Sequence, residues 1–198
     1  NPQNPYGMSK ISQEMFALAL GKRYNIPTVA MRYSIVQGSR QSFYNAYSGA
    51  CRIFSLAFHQ GKEPPIYEDG NQVRDFVNIH DVVDANVLVL EDERANYEMF
   101  NVGGGVPVTV KEFAEVVAKA YGYNDYVPNA CGKYRFGDTR HIFSDISKLK
   151  ALGWEPKRTI EDSVLEYKEW LDTADCVDDI IEYCSKKMQE LNVVRSVE

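Results

Sequence analysis

Apolar residues recur at helical spacing in several stretches of the chain, with short apolar runs between them. From Tyr6, just after Pro5, to Tyr24, the residues Met8, Ile11, Met15, Phe16, Leu18 and Ala19 fall on one face, which predicts a helix. Residues 28–36 (TVAMRYSIV) are rich in β-branched side chains and predict a buried strand. A helix that passes into a strand through a short turn is half of a βαβ unit. Residues 38–44 then read as a loop, and residues 47–60 as a helix carrying Ile53, Phe54 and Phe58. Short strands are expected at 65–67, 76–79 and 99–102, with a helix over 80–91 between the last two. Gly103-Gly104-Gly105 follows a strand without the remaining glycines of a dinucleotide fingerprint, and reads as a flexible turn. Thr109 with Glu112 forms a capping-box pattern opening a helix that runs to Tyr121. Further helices are expected over 146–152, 160–173 and 177–191. The last carries Val177, Ile180, Ile181, Cys184, Met188 and Leu191 at helical spacing, a packing stripe against the domain or another subunit. The fold class is α/β, with short strands late in the chain and no internal repeats.

Composition narrows the function classes. Over 198 residues, 22 Lys and Arg stand against 28 Asp and Glu, a formal charge of −6. That balance argues against a surface built to track nucleic acid or an anionic membrane, so a polyanion must be met locally. No apolar run approaches the roughly 20 residues of a membrane span, and no signal peptide opens the chain; the expectation is a soluble, cytoplasmic protein. The four cysteines, Cys51, Cys131, Cys176 and Cys184, lack Cys-x-x-Cys spacing and read as reduced structural thiols. A start at Asn1-Pro2-Gln3-Asn4-Pro5, without Met, reads as the continuation of something longer, or as a processed or engineered piece.

The candidate chemistry begins at Tyr6-Gly7-Met8-Ser9-Lys10. A spacing of four puts both side chains on one helical face, about 5–6 Å apart at Cβ. A lysine ammonium beside a phenol favours the phenolate by direct attraction, which makes a usable base. Four more segments follow in order. They are Met31-Arg32-Tyr33-Ser34-Ile35-Val36-Gln37-Gly38, residues 70–81 (GNQVRDFVNIHD), Asn101-Val102-Gly103-Gly104, and residues 137–148 (GDTRHIFSDISK). His59 and His141 have no metal-ligand partners at recognisable spacing, Asp81 is expected to cap the helix that follows it, and no metal site is read.

In this order and spacing, over residues 4–170, the five segments resemble the extended short-chain dehydrogenase/reductase family of nucleotide-sugar epimerases and dehydratases. The likeness is greatest to its UDP-galactose and dTDP-rhamnose 4-epimerase group. The resemblance implies NAD as cofactor and a nucleoside-diphosphate sugar as substrate. Tyr6 is then the base that takes a proton from a sugar hydroxyl. Lys10 activates it and holds the nicotinamide ribose, and Tyr33 lines the nicotinamide pocket. Arg74 and Arg140 match the pyrophosphate-binding arginines, for which a guanidinium fork is suited. Pro65 and Tyr67 match residues flanking the nucleobase, and Asn45 a sugar or phosphate contact before a helix. A homodimer is also implied.

Two departures stand out. Ile35 occupies a position where the family often has a sugar-binding Asn. The Gly-x-x-Gly-x-x-Gly turn, the acidic ribose-binding residue and the catalytic Ser/Thr upstream of the tyrosine are absent. The expected organisation is therefore the last helix and strand of a Rossmann-like NAD-binding domain (1–40), a small α/β nucleotide-sugar lobe (41–173) and a C-terminal helical extension (174–198). Three functions stay open: 4-epimerisation of a UDP- or dTDP-hexose through a 4-keto intermediate, 4,6-dehydration, and non-catalytic sugar-nucleotide binding. The 198-residue piece alone is expected to be inactive.

Overall fold

The computed structural model describes residues 4–43, 49–174 and 180–196. Helix α1 spans Pro5–Tyr24: Asn4 caps it by accepting from the Gly7 amide, Pro5 needs no intrahelical donor, and Asn25 ends it in the left-handed conformation. Of α1 only Leu18 and Gly21 are buried. The apolar residues expected to pack on one face, Met8, Ile11, Met15 and Phe16 among them, are exposed, because no described element covers them.

The strand expected over 28–36 is two strands. β1 (Ala30–Tyr33) runs parallel to β4 (Met99–Val102), and β2 (Ile35–Gln37) runs parallel to β3 (Val73–Asn78). The break falls at Ser34. Its amide donates to the Val102 carbonyl (2.8 Å), which completes the first pairing, while its hydroxyl donates to Asp75 of β3 (2.7 Å). One chain segment thus serves two sheets. β3 also pairs antiparallel with β5 (Pro107–Thr109). The strand expected at 65–67 reduces to a single bridge from Ile66 to Ala130.

Alternation along β2 and β3 separates two cores. Ile35 and Phe76 face a cluster built by α2 (Ala50–His59), α4 (Val110–Ala120) and α6 (Ile160–Asp172), in which the Phe76 ring stacks on Phe113 at 4.3 Å. Val36 and Val77 face the opposite cluster, with Val82, Ala85 and Val89 of α3 (Ile79–Glu91), Phe100 and Val102 of β4, Leu149 of α5 (Ser147–Lys150), and Trp154. The capping box forms as expected, Thr109 accepting from the Glu112 amide while Glu112 accepts from Thr109. Asp81 does not cap α3. Asn78 does, accepting from the His80 amide (2.8 Å), and the buried Asp81 instead takes the Arg158 amide and guanidinium.

The C-terminal helix, α7, is described over Ile180–Glu190. Strand β7 (Val194–Ser196) then pairs antiparallel with β6 (Lys133–Arg135). In α7, Cys184 and Met188 are buried, while Leu191 beyond its end is exposed. No helix among the described residues is long and apolar enough to cross a membrane.

Candidate ligand cleft

Helix α2, the segment that joins it to β3, β3 itself, Arg135 of β6 and α7 line a cleft of about 240 Å³. Its lining is partly apolar, with Ile35, Phe54 and Phe76 of the first core beneath it. Its rim is charged. Arg52, Arg74 and Arg135 line it against Glu68 and Asp138, so the cleft carries one excess positive charge in a chain of net charge −6.

Three of the residues singled out by sequence meet here: Pro65, Tyr67 and Arg74. Burial raises the Tyr67 phenol and lowers the half-buried Arg74 guanidinium from their ordinary values; for Arg74 the nearby Asp138 and Glu68 oppose the shift and Arg135 adds to it. Arg74 Nη1 is held by two backbone carbonyls, Val73 at 2.9 Å and Arg140 at 2.6 Å. Arg140 is not among the residues that line the cleft. Its guanidinium donates to Glu68 (2.6 Å) and Asp69 (2.7 Å), the Asp69 carboxyl lies well below the usual range because of that bond, and the Arg140 side chain is 47% exposed.

The stretch that carries Arg140 is laid across the junction of the elements. Asn4, at the head of α1, donates to the Gly137 carbonyl (3.4 Å). The Val73 amide donates to His141 Nδ1, the Ile142 amide returns to the Val73 carbonyl, and Ser144 meets Ser34 (2.7 Å). Segments more than 60 residues apart in sequence therefore converge beside β3.

Tyr6, Lys10 and Tyr33 do not line the cleft. Tyr6 is 71% exposed, with the Lys10 ammonium 5.6 Å from its ring centroid, so the four-residue spacing does bring the pair together. Tyr33, exposed at the end of β1, bonds Asn86 Oδ1 (2.8 Å). Asn45 lies outside the described residues. An exposed phenol and ammonium on α1 and a second phenol on β1 suit, by donor chemistry, the ribose and nicotinamide end of a dinucleotide. The Gly103-Gly104-Gly105 run offers no phosphate cradle. The Gly104 amide donates to Asp75 (2.9 Å), and a Cβ at Gly103 or Gly104 would lie 2.0 Å from Asp75 Oδ2 or the Phe76 carbonyl oxygen, so close approach rather than flexibility explains these glycines.

Sequence reasoning missed Arg135, Asp138 and the wall supplied by α7. The available signal was Lys133-Tyr134-Arg135, alternating cations at strand spacing just before Gly137-Asp138. His80 faces Glu166 (3.3 Å) and His59 faces Asp172 (3.6 Å). Among the described residues no three His, Cys, Asp or Glu gather as metal ligands.

Residues 1–103 match the model of the NAD dependent epimerase/dehydratase family. Among curated proteins, the dTDP-L-rhamnose 4-epimerase of Burkholderia thailandensis is 36% identical over 171 residues, covering 86% of this chain and 47% of the relative. Among solved structures, the UDP-glucose 4-epimerase of Thermotoga maritima with UDP-glucose superposes with a TM-score of 0.78 at 34% identity, covering 87% of this chain and 54% of that one. The dTDP-glucose 4,6-dehydratase of Bacillus anthracis in complex with NAD follows at TM-score 0.76 and 28% identity, covering 88% and 54%. The chain spans about half the length of the curated relatives it matches.

Proposed function

We propose, on the premise that the chain belongs to the NAD dependent epimerase/dehydratase family, that it supplies the substrate-binding part of a nucleotide-sugar 4-epimerase acting on a UDP- or dTDP-hexose. The observation that carries this reading is the meeting of Pro65, Tyr67 and Arg74 in one positively charged cleft. The head of α1, with Tyr6 and Lys10, is tied to the same loop through Asn4 and Gly137. The exposed apolar residues of α1 and the outer edge of β1, unpaired among the described residues, support residues 1–40 as the last helix and strand of a larger dinucleotide-binding unit. They leave surface for a homodimer as well.

In this reading the pyrophosphate lies against Arg74, with Arg140 at the rim, and the nucleobase between Pro65 and Tyr67; Asn45 adds a contact to sugar or phosphate. Tyr6 moves the proton at the sugar 4-hydroxyl oxygen. Lys10 favours the phenolate and, with Tyr33, holds the nicotinamide ribose end. NAD, when bound, supplies reversible hydride exchange at the sugar carbon, and the chain supplies base, orientation and field.

Tyr6→Phe, in the protein that joins this chain to a dinucleotide-binding half, is expected to cut turnover by about 10²–10⁴-fold with nucleotide-sugar affinity kept. Unchanged turnover overturns the assignment. The dehydratase neighbour, matching at nearly the same TM-score as the epimerase, favours 4,6-dehydration as a second reading. A 4-keto-6-deoxy product instead of the epimer would establish it. The lack of a dinucleotide cradle among the described residues favours, for the chain by itself, sugar-nucleotide binding without NAD binding, which titration with each compound decides.

A further inference from the structure

The C-terminal segment, expected from sequence to be a packing extension, carries two rows of side chains on α7. Cys184 and Met188, one turn apart, are buried, and beside them Ser185 and Gln189 form a parallel polar row. That polar row lines a second, smaller pocket of about 100 Å³, to which β6 contributes Lys133. Pro65, Tyr67 and Ser185 line this pocket and the larger cleft alike, so the two spaces adjoin at Tyr67. Backbone bonds fix the arrangement. The Cys131 amide donates to the Ile66 carbonyl (2.9 Å) and the Glu68 amide to the Lys133 carbonyl (2.7 Å), which laces the chain together on both sides of Tyr67. Gln72 Nε2 donates to the Tyr67 carbonyl (2.9 Å), and β7 pairs with β6, Ser196 lying opposite Lys133. The side chains of Lys133, Ser185 and Gln189 make no hydrogen bond or ion pair with other described residues.

We propose that the pocket beyond Tyr67 reads the edge of the nucleobase, with Ser185 and Gln189 of α7 and Lys133 of β6 as its specificity-determining residues, and that it selects a pyrimidine-dione. This rests on the nucleotide-sugar reading above, in which the base lies between Pro65 and Tyr67. A base held there points its edge into the adjoining pocket. The groups waiting in it are rich in donors: an ammonium donates only, while a hydroxyl and a carboxamide donate and accept. Uracil and thymine offer two carbonyl acceptors with one N–H between them, which suits two donors and the Gln189 carbonyl. Cytosine replaces one carbonyl by an amino donor, and adenine has no carbonyl, so each sets a donor against a donor. The discrimination comes from leaving a polar group unpaired rather than from area covered. The C-terminal segment is then the part of this chain that recognises the base.

The test is calorimetric titration of the 198-residue chain with UDP, CDP and inorganic pyrophosphate. UDP is expected to bind at least tenfold more tightly than CDP; equal affinities overturn the proposal. Gln189→Leu, at an exposed position that leaves the helix intact, is expected to weaken UDP at least fivefold, to bring the UDP:CDP ratio below threefold and to leave pyrophosphate within twofold. Lys133→Met is expected to lower the same ratio, which is insensitive to any loss of general attraction for the diphosphate. A ratio unchanged in both variants overturns the reading of the base, and an equal loss of UDP and pyrophosphate in Gln189→Leu does so too, since it marks a disturbed fold. Lys187→Gln, which removes an exposed α7 cation paired with Glu190, is the control and is expected to move no affinity beyond twofold. A fall of the UDP:CDP ratio in this control overturns the assignment to Ser185 and Gln189. Binding of none of the three probes by the intact chain overturns the nucleotide-sugar reading itself, an outcome distinct from every variant result.

Discussion

Gly104→Ala tests whether the strand junction beneath the cleft is built on contact distance. The added methyl would lie 2.0 Å from the Phe76 backbone oxygen, whereas real Cβ contacts do not fall under 3.0 Å, so loop or strand must retreat by about 1 Å. The strand side is held fast. Phe76 lies opposite Ile35 in the parallel pair, its ring stacks on Phe113, and the neighbouring Asp75 anchors Ser34. Retreat of the loop breaks the Gly104 amide bond to the Asp75 carboxylate. Overpacking at a tight site costs about 1–3 kcal/mol, and a hydrogen bond to a charged group contributes about 1.5–3 kcal/mol. A loss of about 4 kcal/mol with a urea slope of about 2 kcal/mol/M lowers the unfolding midpoint by roughly 2 M. Gly61→Ala is the control. Its nearest neighbour is the Tyr123 hydroxyl at 3.8 Å, so only its left-handed backbone (φ 68°) is penalised, a cost of about 1 kcal/mol. Urea melts followed by far-ultraviolet circular dichroism measure both. A Gly104→Ala midpoint no lower than that of Gly61→Ala refutes the reasoning.

Two further outcomes follow from the buried polar groups. Arg158→Ala removes the guanidinium bond to the fully buried Asp81 (2.8 Å) and leaves the backbone amide bond; a destabilisation of roughly 2 kcal/mol is expected, largely restored by Arg158→Lys, and a neutral Ala variant contradicts it. Burial pushes the Glu166 carboxyl up, but hydrogen bonds from Asn78 and Ser39 outweigh it and, with His80 nearby, hold the group below its ordinary 4.5. A lowered folded value stabilises fully above the unfolded value and loses that contribution as pH falls through the folded one. The stability difference between wild type and Glu166→Gln is therefore expected to stay constant from neutral pH to about 5 and to shrink on further acidification. A difference that grows in acid reverses the sign and refutes the assignment.

What the sequence determined by itself is local. Helix α1 and the pairing of Tyr6 with Lys10 follow from a Pro, a capping Asn and a spacing of four. The start of α4 follows from Thr109 and Glu112. These depend on hydrogen bonds three or four residues apart, so the residues that decide them sit side by side in the chain. The five ordered motifs identified the family for the same reason, each being a contiguous string.

The tertiary structure decided what depends on distant partners. Residues 28–36 carry the composition of one strand, but Val102 and Asp75 claim opposite sides of Ser34 and divide it. Arg74 and Arg140 are equivalent cations in sequence. Loop 68–69 supplies two carboxylates to one, whereas backbone carbonyls hold the other in the cleft. The apolar stripe of α7 and the cation of β6 become cleft residues only because β7 folds back over more than 50 residues of chain to pair with β6. A site assembled from such separations is set by the energies of packing and hydrogen bonding between elements, which no local pattern records.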